Sequence, residues 1–260
     1  MSDSPAAKKL KTVPTGTPLY FDLDLSKLTI DAIPQGANET KFATVKYDEA
    51  RLVFQASTVK EPMRSPFGID DGSKFKPSSK PSMKLELQDP QLEFVRAIEE
   101  KVITTAIKNK AEYFPGVKPS PSEDDIRGAF SSRVSVDPEG KYPAKLRVNV
   151  NLSDEKKKPL KVMTTTLLSS GKIEQPKTGS FNDVEFNDCV VPVLQTAGGV
   201  WIKKTKKMGD NLFGLIFEAS ELLVVKGSKD SSAGAFNLGG VEVASDAEEA
   251  ENNHEDQSSD

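Results

Sequence analysis

The only tryptophan of this 260-residue chain, Trp201, sits in GGVWIKKTKK, after a diglycine and ahead of Lys203, Lys204, Lys206 and Lys207. An indole offers a flat π-face and an ammonium offers a compact positive charge, so together they suit a ligand that is planar in one part and anionic in another. Read as a strand, VWIKK puts Trp201 and Lys203 on one face and Val200, Ile202 and Lys204 on the other, with Lys206 and Lys207 in the turn beyond. The same parity organises KYPAKLRVNVN, where Lys145, Arg147, Asn149 and Asn151 share one face and Leu146, Val148 and Val150 the other. One face packs and the other presents donors. The turn SDEKKKP adds Lys156, Lys157 and Lys158 at a loop tip. Between Lys141 and Lys177 nine basic residues stand against three acidic ones, a local net of +6. Phe75 in SKFKP and Tyr142 in GKYPAK are two further rings with bases beside them.

Other chemistries lack their parts. The one histidine, His254, lies in an acidic C-terminal stretch and the one cysteine is Cys189, so no Ser-His, Cys-His or Cys/His zinc arrangement is expected in the body. GVKPSPS and GSKDSSAG miss the spacing of a phosphate-binding loop. The acid clusters Asp22/Asp24, Asp70/Asp71 and Glu123/Asp124/Asp125 are each local, and read as solvated acids rather than metal ligands, with Asp22 and Asp24 on one exposed strand face. No catalytic residue, metal or cofactor is expected.

The elements that must position these residues are mostly strands. LYFDLDL, ATVKY, RLVFQAS, SMKLELQ, KLRVNVNL, LKVMTTTLL, DVEFNDCVVPVLQ, GVWIKK and LFGLIFEASELLVVK alternate apolar and polar residues between Gly, Pro, Asn and Asp clusters. That pattern predicts a mostly antiparallel sheet closed into a barrel or sandwich. One segment differs: from Asp89 to Phe114, Leu92, Val95, Ile98, Val102 and Ala106 recur at helical spacing, which predicts one inserted amphipathic helix with Asp89 as N-cap and Pro90 at N1. A short helical turn is expected near Ser122. The stretch EPMRSPFGIDDGSKFKPSSKPS, Glu61 to Ser82, lacks a strand pattern and reads as a long loop.

Charge is uneven along the chain. The net charge is -4, yet from Asp230 onward there are nine acids and no Lys or Arg, leaving 35 basic against 30 acidic residues before it, net +5. Residues 1–17, polar and Pro-rich, and 227–260, rich in Ser, Gly, Ala and acid, are expected to be disordered around a folded body at 18–226. A single cysteine and the lack of an apolar membrane-length run or signal core point to a soluble intracellular protein. PAAKKLK near the N-terminus has the form of a nuclear import signal.

The order of these parts, with FGIDDG, YPAKLRVNV, VWIKKTKKMGDNLFGLIFEASELLVV and the acidic tail, resembles the single-stranded DNA-binding proteins of large nucleocytoplasmic DNA viruses. That group is similar to the phage T7-type single-stranded DNA-binding protein, an OB-fold with an acidic tail; the phage-type tail ends in an aromatic residue, whereas this sequence ends in QSSD. The resemblance covers about Phe67 to Val225 and the tail. It implies a mainly β, OB-like antiparallel barrel with one inserted helix and disordered termini. It also implies sequence-tolerant, non-catalytic binding of single-stranded DNA in replication, recombination or repair, in the nucleus or a viral replication compartment, or otherwise in the cytoplasm. On the residues themselves, Phe75, Tyr142 and Trp201 are the stacking candidates. Lys145, Arg147, Lys156, Lys157, Lys158, Lys203, Lys204, Lys206 and Lys207 are the phosphate candidates. The tail would compete for the same groove or recruit replication proteins, and a homo-oligomer is open. The alternative is an acidic-tailed, chaperone-like or structural interaction protein whose lysines are only surface.

Overall fold

The computed structural model describes residues 16–36, 39–71, 80–153, 159–168, 170–196 and 198–227. The basic leader and the acidic tail lie outside the described residues, as do Phe75, Lys156, Lys157 and Lys158. Strands dominate, with few helices, in one ten-stranded and two three-stranded sheets.

The strand Glu218–Gly227 is the axis of the large sheet. Along one edge it pairs antiparallel with Asp188–Gln195, which carries Val53–Gln55 and Met63–Ser65 on its far side. Along the other edge it runs parallel to Lys161–Leu167 and, at Glu218 and Ala219, to Lys145–Val150. Antiparallel pairing is the rule elsewhere, so these two parallel ladders are the departure from the expected sheet. The sheets are open, with Lys177–Gly179 and Ile69–Asp70 ending the main path, so among the described residues the pairings do not close a barrel. Leu222 and Val224 enter the main core while Leu223 and Val225 enter a second cluster on the opposite face. That strand is apolar on both sides because both are covered.

The helix runs Asp89–Lys108 and buries Val95, Ile98, Val102 and Ala106 against the main core. Val95, Ile98 and Val102 each contribute roughly 1.5–3 kcal/mol by burial. The N-cap is Gln88 rather than Asp89, because Gln88 and Gln91 form a reciprocal capping box that puts Pro90 one position later. Asn109 leaves helical geometry, so the segment to Phe114 is not one helix, and a short second helix occupies Lys110–Tyr113. The turn expected near Ser122 is the helix Glu123–Ala129, closed by a Ser122/Asp125 capping box.

Three expectations about strands change. LYFDLDL enters two 3₁₀ turns, Tyr20–Asp22 and Leu25–Lys27, where alternation predicted extension; the second is fixed by the Asp24 carboxylate, which accepts the Ser26 N–H at 2.9 Å. Asp22 and Asp24 therefore do not share a strand face. The Glu61 to Ser82 stretch contains strands Met63–Ser65 and Ile69–Asp70. DVEFNDCVVPVLQ becomes a strand only at Asp188, after a turn at Asn187 with φ 64°.

Candidate nucleic-acid interface

The outward face of Lys145–Val150 is built as its alternation requires: Leu146, Val148 and Val150 are buried and Arg147 is exposed. The strand lies between Ser82–Glu86 and Val134–Ser135. Register sets Lys145 opposite Glu86 and Ser135, Arg147 opposite Lys84, and Asn149 opposite Ser82. One rung further, the Arg147 N–H donates to the Arg133 carbonyl at 2.9 Å, so Arg133 stands on the other side of Arg147. Three cations thus stand abreast, two on neighbouring strands and Arg133 just before a third. Arg147 Nε donates to Ser82 Oγ at 3.3 Å.

Rings flank this rung. Lys145 Nζ lies 5.3 Å from the centre of the Tyr142 ring, and Lys84 Nζ lies 5.4 Å from that of Phe67. Tyr142, Phe67 and Phe186 are 66 %, 60 % and 69 % exposed, large apolar groups left in water. Phe67, Phe186, Lys84 and Arg147 line one cleft of about 540 Å³. Gly68 is what allows Phe67 to reach it: its φ is +62°, and a Cβ there would lie 2.7 Å from the Val184 carbonyl oxygen. Only glycine lets the two loops approach so closely.

Trp201 lies in Val200–Lys203, between Thr40–Ala43 and Phe213–Leu215, opposite Phe42 and Gly214. A Cβ at Gly214 would come 3.2 Å from Cζ2 and Nε1 of the indole, so the ring rests on the bare backbone. Trp201 is half-buried, its Nε1 buried without an acceptor among the described residues. Lys203 Nζ stands 5.5 Å from the ring centre, on the face that parity assigns to it. Phe42 is exposed beside it and borders a cleft of about 710 Å³ with Lys80, Asn149 and Asn151. Since Asn149 also belongs to the Arg147 face, this cleft joins the two aromatic surfaces. The Leu160 N–H donates to the Asn151 carbonyl at 2.7 Å, which ties Leu160 to a residue of the cleft's lining.

The remaining candidates are elsewhere. Lys204 is exposed just past the end of that strand and, together with Lys203, lines a cleft beside Tyr113, Phe114 and Ile202. Lys206 and Lys207 are exposed in the following turn, where the Lys207 N–H donates to Thr205 Oγ1 at 3.1 Å.

Below the strand face, Glu99 of the long helix is buried, and desolvation pushes its carboxyl above the usual carboxylate range. Ser132 Oγ donates to it at 2.9 Å and the Arg133 N–H at 3.2 Å, which partly offsets that cost. Burial and the charge of Arg147 weaken the proton affinity of Arg133. Among the described residues no cluster of His, Cys, Asp or Glu has the makings of a metal site. Asp24 and Asp125 instead cap turns and helix ends. Burial raises the Cys189 thiol.

Phe42, Phe67, Lys84, Arg133 and Phe186 were not among the residues that spacing singled out. Lys84 was within reach, since SMKLE alternates as KLRVN does. Phe186 and Arg133 sit in a loop and beside a two-residue strand, where no period exists to read.

Among solved structures, the chain is similar to the crystal structure of gp2.5, a single-stranded DNA-binding protein encoded by bacteriophage T7. Identity is 14 %, coverage 80 % of this chain and 100 % of that one, and the TM-score 0.40. No family model and no curated protein matches the chain.

Proposed function

We propose that this chain is a non-catalytic, sequence-tolerant binder of single-stranded DNA that acts in replication, recombination or repair. The observation that carries the reading is the repeated pairing of an ammonium with an outward or half-buried ring: Lys145 with Tyr142, Lys84 with Phe67 and Lys203 with Trp201. A nucleotide is itself a flat ring next to a negative charge. Stacking contributes about 1–3 kcal/mol per base whatever its identity, and lysine or arginine neutralises the phosphates between. The body, residues 18–226, works as one OB-like unit, and the lysines at 156–158, 206 and 207 extend its positive field. The tail from Asp230, with nine acids, competes for that field or recruits replication proteins. The PAAKKLK leader favours nuclear entry. The sequence resemblance adds kinship with the single-stranded DNA-binding proteins of large nucleocytoplasmic DNA viruses.

Anisotropy of a fluorescent oligo-dT tests the function. Log affinity is expected to fall linearly with log salt, by about 0.7 for each phosphate neutralised. Absent binding at low salt, or affinity indifferent to salt, would sink the reading.

A further inference from the structure

The rung Arg133, Arg147 and Lys84 is a cost to the folded chain. Like charges directly opposite on a sheet destabilise it. No ion pair among the described residues engages any of the three. The nearest acids on that face, Glu86 opposite Lys145 and Asp70 opposite Ser82, are each one rung away. Arg133 Nε is buried without an acceptor among the described residues. A buried carboxylate does stand near, yet Glu99 accepts from the Ser132 hydroxyl and the Arg133 backbone N–H. It fixes the main chain and leaves the guanidinium uncompensated.

We infer that this rung is the seat of one phosphodiester group of the bound strand, with Arg133 and Arg147 supplying guanidinium donors and Lys84 the third charge. The inference rests on the single-stranded DNA reading and locates a contact within it. Guanidiniums suit the task because their planar forks match phosphate oxygens. Phe67, beside Lys84, and Phe186, across the same cleft, then meet the bases on either side of that phosphate. Glu99 is a positioning residue: it touches no ligand and sets where Arg133 starts.

The experiment measures oligo-dT affinity across a salt series and melting temperature for the full chain and its variants. Arg133→Gln is expected to weaken binding about tenfold or more and to reduce the salt slope by about 0.7. It is also expected to raise the low-salt melting temperature, because repulsion is relieved, and that gain fades in high salt. Lys108→Gln, an equal charge change on an exposed helix position, is expected to alter neither slope nor affinity appreciably. If Arg133→Gln disturbs packing, Lys84→Gln carries the same prediction from an exposed side chain. For Glu99, the double variant Glu99→Gln/Arg133→Gln should bind no worse than Arg133→Gln alone; additive losses would make Glu99 merely structural. Unchanged slope and affinity in both Arg133→Gln and Lys84→Gln would overturn the seat while leaving DNA binding intact. Failure of the wild type to bind oligo-dT would overturn the DNA reading instead. Inorganic phosphate then tests the seat alone: a melting temperature raised over chloride at equal ionic strength, and lost in Arg133→Gln/Arg147→Gln, supports it, and no rise overturns it.

Discussion

Phe67 and Phe186 stay mostly in water and gain little from folding, so they are better placed than the half-buried Trp201 to report stacking without loss of stability. Phe67→Ala is expected to weaken oligo-dT binding by about 5- to 150-fold, the equivalent of one stacked base, with little change in melting temperature. Trp201→Ala should lower both, since the ring also covers Gly214. Glu99 gives a pH signature. Its carboxyl is raised in the folded chain, so its contribution to stability is full below the ordinary glutamate range and is lost as pH rises through the raised value. Unfolding free energies of Glu99→Gln and wild type, compared from acid to neutral pH, should therefore diverge in favour of the variant as pH rises. A constant difference would mean that the carboxyl titrates alike in both states.

At the scale of elements, the two faces of one strand should separate fold from function. Leu146→Ala is expected to cost about 2–5 kcal/mol in urea unfolding, because it empties a fully buried site. Asn149→Ala, on the outward face, should leave stability within about 1 kcal/mol and weaken DNA binding. This division was legible in KLRVNVN because half-burial writes a period of two into the residues. The helix was legible from Val95, Ile98, Val102 and Ala106 for the same kind of reason. Its cap was not, because Gln88 and Gln91 satisfy each other in a way that the better N-capping propensity of Asp89 conceals. The parallel ladders of Glu218–Gly227 leave no mark in the sequence, since a strand covered on both faces reads the same whichever way its neighbours run. Phe67 and Phe186 line one cleft where two segments distant in the chain approach closely at Gly68, and alternation cannot announce that.

Over the whole molecule, the decisive quantity is the distribution of charge rather than its total of -4. The residues before Asp230 carry net +5, and the tail holds nine acids without a lysine or arginine. Removing residues 230–260 is expected to tighten oligo-dT binding at low salt, with the gain shrinking as salt rises. An unchanged affinity would free the tail from any part in DNA access. The most direct test of DNA binding uses the molecule's own probe, because Trp201 is the only tryptophan and stands beside Lys203 on the proposed surface. Titration of the full chain with unlabelled oligo-dT should change its tryptophan fluorescence to a saturable limit, and added salt should reverse the change. Emission that stays constant through the titration, or a change that salt does not reverse, would contradict the Trp201 face as a site where bases stack and phosphates are neutralised.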